Sequence, residues 1–126
     1  MFFSVIIPVY NRPSEVFELL SSLLTQSYVD FEVILVEDGS SEKADQAVSQ
    51  FESQLLIRYF FQENQGQGFA RNFGMKQAKG EFFVILDSDV ILPPDYFAVL
   101  KEAILKRKLD AFGGPDAAAC DFSNLL

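Results

Sequence analysis

The amino-acid sequence predicts an α/β domain, a mainly parallel sheet with helices on both faces. Four short apolar runs, rich in β-branched and aromatic residues, alternate with four stretches whose apolar residues recur at helical spacing. That alternation is the signature of βαβ units, whose crossovers are right-handed. The apolar runs show almost no polar alternation, as strands covered on both faces do. With 126 residues, 49% of them hydrophobic, the chain is long enough to bury a core. Residues 1–126 are expected to form a single domain, since no linker, internal repeat or low-complexity tract divides them.

Phe2–Tyr10 is the first strand, with Pro8 near its end, where a missing N–H does least harm. Asn11-Arg12-Pro13 turns the chain, and Pro13 suits the first turn of a helix. Val16, Leu19, Leu20, Leu23 and Leu24 mark the apolar stripe of that helix. Phe31–Val36 is the second strand and runs into Glu37 and Asp38, then Gly39-Ser40-Ser41. Those serines suit the cap of a helix with Ala44, Ala47, Val48 and Phe51 inward. Leu55–Phe61 is the third strand. The polar loop Gln62–Gly68 leads to a helix with Ala70, Phe73, Gly74, Gln77 and Ala78 on one face. Lys76 and Lys79 complement its carboxyl end, and Gly80 stands where a left-handed cap is wanted. The fourth strand, from Glu81 to Leu86, is expected to be buried on both faces and runs straight into Asp87-Ser88-Asp89. Pro93-Pro94-Asp95 begins a helix to about Lys108, with Phe97, Leu100 and Ile104 inward. Leu109–Gly113 is expected to begin a fifth strand, and Gly114–Leu126 has no clear period.

The formal net charge of −8 argues against nucleic acid, which needs a basic face, but not against a small phosphate ligand held locally. With no His, zinc chemistry and His-based triads are excluded within this chain. The single Cys120 has no internal disulfide partner, which fits a reducing compartment. Met1 leads directly into a strand with no basic region, and no apolar run approaches a membrane span. A cytoplasmic location is expected, with the parent protein free to sit at the cytoplasmic face of a membrane.

In such sheets ligands sit outside the carboxyl ends of the strands. Tyr10 and Asn11, Glu37 and Asp38, Gly66 and Gly68, and Asp87 and Asp89 all fall there. Side chains alternate along a strand, so Asp87 and Asp89 are expected to share a side, with Ser88 facing away. Adjacent carboxylates repel, and are best tolerated around a cation. An all-oxygen donor set suits Mg²⁺ or Mn²⁺, usually completed by waters and substrate phosphates. Asp-Ser-Asp also starts turns well, so a plain polar loop is the alternative. Asp38 can accept from an imide-type ring N–H, as in uracil, thymine or guanine, with Tyr10 placed to stack on the base. Alternatively, Glu37 and Asp38 neutralise the next helix N-terminus. Arg71, in the first turn of its helix, suits an anion or a base carbonyl. The alternative is a surface ion pair, which contributes little.

Two local patterns imitate other chemistries. Gly66-Gln67-Gly68-Phe69-Ala70-Arg71 follows a strand as a dinucleotide fingerprint does, but Arg71 stands where the third glycine belongs, and the fingerprint normally follows the first strand. Asp87-Ser88-Asp89-Val90-Ile91 is similar to the first motif of haloacid-dehalogenase-type phosphatases. That motif sits on an early strand with further motifs after it, whereas here it lies on the fourth strand and little chain follows.

Taken together, the loops resemble the N-terminal half of a family 2 glycosyltransferase, with the Rossmann-like GT-A fold. The matching residues are Ser4–Arg12, Val36–Ser41, Asn64-Gln65-Gly66, Ala70–Gly74, Ala78–Phe82 and Leu86–Asp89, in order over residues 4 to about 95. Glu37 departs from the pattern, where the family usually has Asp. The resemblance implies a nucleoside-diphosphate sugar donor of UDP, GDP or dTDP type, a Mg²⁺ or Mn²⁺ ion, and an acceptor it does not identify. It implies that Asp38 holds the base and that Pro8 and Tyr10 line its pocket. Asn11, Arg71, Asp87 and Ser88 complete the nucleotide-sugar contacts. Asp87 meets the ribose or sugar, and Asp89, with Asp87, the metal on the diphosphate. It further implies inversion at the anomeric centre, an acceptor hydroxyl attacking in line while a carboxylate takes its proton.

The family's base lies in the acceptor half, so here it is expected beyond Leu126. Asp116 and Asp121 do not align with it, and Gly113-Gly114-Pro115-Asp116 would floor the acceptor cleft. The chain is therefore expected to be the donor-binding part of a longer protein, with the acceptor-binding part absent. It should bind a nucleoside diphosphate, transfer sugar poorly, and self-associate through apolar surface left bare. A non-catalytic nucleotide-binding module and, less so, an Asp-dependent phosphatase are the competing readings.

Overall fold

Apolar runs without polar alternation need cover on both faces, and the two innermost strands receive it. The computed structural model describes residues 1–107. In chain order the elements are β1 (Phe3–Val9), α1 (Pro13–Leu24), β2 (Phe31–Asp38), α2 (Asp45–Ser49), β3 (Ile57–Gln62), α3 (Gln67–Gln77), β4 (Phe82–Ile85) and α4 (Tyr96–Arg107). All strand pairs are parallel, in the order β3-β2-β1-β4. Phe3 of β1 lies opposite Phe31 on one side and Phe82 on the other. Every residue of β1 and β2 is buried.

The two-residue period of the strands divides the core. Phe3, Val5, Ile7 and Val9, with Phe31, Val33 and Leu35, join the inward faces of α1, α2 and α4. The intervening Ile6, Ile34 and Val36 join Ala70 of α3 on the other face. Helices thus cover both faces, as the sequence predicts. In α1 the stripe decides the helix: Arg12 at its N-cap makes no side-chain cap bond. Val16, Leu19, Leu20 and Leu23 are buried, each contributing about 1.5–3 kcal/mol over exposure. A missing cap costs about 1 kcal/mol. Leu24, expected inward, is exposed.

Three local expectations are corrected. Among the described residues β4 is an edge strand, with only Val84 fully buried and Phe82, Phe83 and Ile85 half-buried. Neither Ser40 nor Ser41 caps α2, whose N-cap is Ala44: Ser40 Oγ accepts the Asn11 N–H and donates to Glu37, and Ser41 Oγ donates to Asn11 Oδ1. Gly80 is not a left-handed cap: α3 ends in an extended Ala78, and the left-handed glycines among the described residues are Gly39 and Gly66. Gly80 is needed because β1 passes so close that a Cβ would lie 2.7 Å from the Phe3 carbonyl carbon. The expected fifth strand at Leu109–Gly113, the tail with Asp116, Cys120 and Asp121, and the proposed cleft floor lie outside the described residues.

A buried polar cluster fixes the lower end of α3. Glu32, on the α3 face of β2, accepts from Ser4 Oγ at 2.6 Å, Lys79 N–H at 2.7 Å and Arg58 Nη2 at 2.7 Å. Arg58 also donates to the Gln77 carbonyl, and Gly80 N–H donates to Ser4 Oγ at 2.8 Å. Burial pushes the Glu32 carboxyl up, but these donors outweigh it and hold it below the ordinary carboxylate range. With its carboxyl end pinned there, α3 delivers its amino end to the opposite edge of the sheet. No helix among the described residues is long and apolar enough to cross a membrane.

Candidate functional site

Because all four strands run parallel, their carboxyl ends form one rim. Two acids close β2 and diverge, since neighbouring strand residues point to opposite faces. Glu37 turns towards α2 and is fully buried. It accepts from Ala44 N–H and Tyr59 OH, both at 2.7 Å, and from Ser40 Oγ at 2.6 Å. Ala44 is the N-cap of α2, so Glu37 does neutralise that helix entrance, while Asp38 does not. Burial raises the Tyr59 pKa, and the hydrogen bond and charge of Glu37 raise it further, so the phenol remains a donor. Ser40 Oγ in turn accepts the Asn11 N–H at 2.8 Å, and Asn11 Oδ1 accepts the Glu42 N–H at 2.9 Å. Asn11 sits at φ 53°, a left-handed conformation that Asn tolerates. Glu37, Ser40 and Asn11 thereby stitch the β1–α1 loop to the β2–α2 loop.

Asp38 turns to the α3 face and is 3% exposed. Its Oδ1 accepts from Gln62 Nε2 at 2.9 Å and Gln65 N–H at 2.8 Å, and its Oδ2 from Gly66 N–H at 2.9 Å. Burial raises this carboxyl, the three donors more than reverse it, and its pKa lies below the usual Asp value. Gln62 ends β3 directly opposite Asp38 in register. Three loops are thus tied together by two buried carboxylates and one asparagine.

The remaining predicted residues differ in exposure. Pro8 is buried within β1, opposite Val36. Tyr10 is 46% exposed just beyond it. β4 ends at Ile85, so Asp87, Ser88 and Asp89 are not on a strand and alternation does not govern them. Leu86 N–H still reaches the Ile6 carbonyl at 3.0 Å, and the Val90 N–H closes a turn on the Asp87 carbonyl at 3.4 Å. That turn carries Asp87 and Asp89, both exposed, with Ser88 half-buried.

Arg71 is the fifth residue of α3, in its second turn rather than its first. It is half-buried and makes no ion pair or hydrogen bond among the described residues, so the surface ion pair weighed above is not formed. Phe73 packs on Phe60 of β3 at 5.1 Å. Two residues span about 200° of helix, so Arg71 occupies the flank away from β3, towards β1 and β4.

The charges therefore sort into two sets. Glu32, Glu37 and Asp38 are buried and supplied with donors. Asp87, Asp89 and Arg71 have no side-chain partner among the described residues. No three metal-ligating side chains cluster among those residues, so the protein offers a cation at most two carboxylates there. That donor set fits a Mg²⁺ or Mn²⁺ ion shared with ligand phosphates, and does not fit a closed protein cage. Gln62 and Tyr59 escaped the sequence reading, which offers Ser40 only as a helix cap and as part of the matching stretch Val36–Ser41. The available signal was Gln62 ending an apolar strand level with the acids of its neighbour.

The layout is that of a parallel α/β domain whose loops gather at the carboxyl ends of the strands. The chain belongs to glycosyl transferase family 2, whose family model matches residues 4–124. An uncharacterized glycosyltransferase of Rickettsia felis is 40% identical over 92 residues, 73% of this chain and 15% of that protein. Glycosyltransferase GlyG of Streptococcus pneumoniae is 34% identical over 88% of this chain and 38% of its own length. Among solved structures, S. aureus TarS 1–349 in complex with UDP-GlcNAc superposes with a TM-score of 0.81 at 34% identity, covering 86% of this chain and 32% of that one. The GT-A fold expected from the resemblance is thereby met. This chain spans well under half of each of these relatives.

Proposed function

We propose that residues 1–126 are the donor-binding part of an inverting glycosyltransferase, taking a nucleoside-diphosphate sugar with a divalent cation. The observation that carries this is the sorting of charges: the inner acids are buried and supplied with donors, while Asp87, Asp89 and Arg71 near the strand ends have no side-chain partner among the described residues. In this reading Asp38, with Pro8 and Tyr10, receives the base. Arg71 meets the nucleotide. Asp87 and Ser88 face the ribose or sugar, and Asn11 holds the Tyr10 loop in place. Asp87 and Asp89 hold the cation, which when bound offsets the negative charge gathering on the departing diphosphate. Arg71 adds a fixed positive charge to the same task. The acceptor hydroxyl attacks from the opposite face, and its proton goes to a carboxylate expected beyond Leu126. Support comes from S. aureus TarS, solved with UDP-GlcNAc, and from the mannosyltransferase PcManGT of Pyrobaculum calidifontis, solved with GDP-Man and Mn²⁺ and 28% identical.

The test is a thermal-shift panel of UDP, GDP and dTDP with and without Mn²⁺, on wild type and Asp89→Ala. Protection is expected with metal and lost in the variant. Protection that ignores both the metal and Asp89 refutes the cation's role and favours a non-catalytic nucleotide-binding module.

A further inference from the structure

We propose that this rim selects its base by the number of hydrogens the base donates, so that the donor carries uracil or thymine rather than guanine. The proposal rests on the donor-site reading above and narrows it. It turns on the free capacity of Asp38. An ionised carboxylate offers about four lone-pair sites, two on each oxygen. Oδ1 already accepts twice, from Gln62 Nε2 at 2.9 Å and Gln65 N–H at 2.8 Å. Oδ2 accepts once, from Gly66 N–H at 2.9 Å. Among the described residues no further donor reaches either oxygen, so one lone pair, on Oδ2, is left for a ligand.

The occupants of Oδ1 are built in. Gln62 is the last residue of β3 and pairs with Asp38 across the sheet, so a strand rather than a free loop holds its amide there.

Uracil and thymine present one ring N–H between two carbonyls, and a single acceptor satisfies it. Guanine presents N1–H beside its exocyclic N2–H, and it pairs with a carboxylate by using both oxygens. At Asp38 the second of these hydrogens would meet an oxygen already filled by two donors. A buried donor left without an acceptor weakens binding severely, more than an extra hydrogen bond strengthens it. Adenine and cytosine present a ring nitrogen lone pair at the equivalent position, which a carboxylate repels. Hypoxanthine separates hydrogen count from size: it keeps the purine frame and N1–H but lacks the amino group.

The test is calorimetric titration of the 126-residue chain, in Mn²⁺, with UDP, dTDP, IDP and GDP. UDP and dTDP are expected to bind, GDP to be at least about tenfold weaker than UDP, and IDP to be tighter than GDP. Gln62→Leu returns one lone pair to Oδ1 and should narrow the UDP-to-GDP ratio; should that variant fail to fold, the wild-type ranking still decides. GDP binding as tightly as UDP overturns the base proposal and leaves the donor site standing. IDP and GDP equally weak would mean that size excludes purines, and also overturns it. Binding of none of the four overturns the donor-site reading itself.

Discussion

Asp38→Asn separates the structural from the recognition role of the buried rim acid. The variant keeps size and shape and replaces one carboxylate oxygen by an NH₂ group. The amide oxygen can retain Gln62 Nε2 and Gln65 N–H, which now meet a neutral acceptor. The new NH₂ faces the Gly66 N–H, formerly bonded at 2.9 Å, donor against donor. Losing one hydrogen bond to a charged group costs about 1.5–3 kcal/mol, and neutralising two others about 1 kcal/mol each. Relief from burying a charge returns part of this, leaving a net loss of about 3 kcal/mol. With an m-value of about 1–3 kcal/mol per molar urea, the midpoint should fall by about 1–3 M.

The pH profile supplies a second readout. A carboxyl whose pKa is lower in the folded than in the unfolded chain contributes stability that is present above the unfolded value. That stability is lost as pH falls through the folded one. The Asp38 and Glu32 carboxyls are both depressed in this way, as is that of exposed Glu102. Wild-type stability should therefore decline as pH drops below about 4, and less steeply in Asp38→Asn, which keeps only the Glu32 and Glu102 contributions. An unchanged urea midpoint together with an unchanged acid limb would refute the claim that Asp38 anchors the β3–α3 loop.

Other outcomes follow from single contacts. In Ser40→Ala, buried Glu37 loses a donor and the Asn11 N–H its acceptor, so urea unfolding should show a loss of about 2 kcal/mol. Gly74→Ala puts a Cβ 2.6 Å from Ile6 Cγ2 in the core under α3. The clash, about 1–3 kcal/mol, exceeds the helix preference of Ala, about 1 kcal/mol, so the melting temperature should fall, and a rise would refute the close packing. Arg71→Ala breaks no ion pair and should change stability by under about 1 kcal/mol, while calorimetric affinity for a nucleoside diphosphate drops about tenfold.

The layers were legible because period and alternation report burial directly. β1, β2 and the α1 stripe, Leu24 apart, read correctly for that reason, as does the order of the described elements. The status of β4 is not legible: Phe82–Ile85 is as apolar as an inner strand, and only the sheet order, a long-range property, makes it an edge among the described strands. The fate of Gly80 was hidden likewise, since its neighbour is the distant Phe3 and Ser4 backbone. At the rim, loop chemistry identified which residues matter but not their partners. Glu37 and Asp38 are adjacent in sequence and share the alternative of neutralising the next helix, yet opposite faces of one strand give them unrelated donors. The alternation that pairs Asp87 with Asp89 ends at Ile85, two residues before Asp87 and four before Asp89.

The sheet order carries a consequence for biosynthesis. β1 leaves the ribosome before the other described strands but occupies an interior lane, and its second neighbour, β4, is encoded far downstream, with Phe82 completing the pairing begun at Phe3. Until α3 and β4 have emerged, one margin of the most apolar segment stays open to strangers. Late, non-local closure of this kind slows folding and lengthens exposure to aggregation. A nascent chain halted before β4 should therefore lean on chaperones far more than one halted after it.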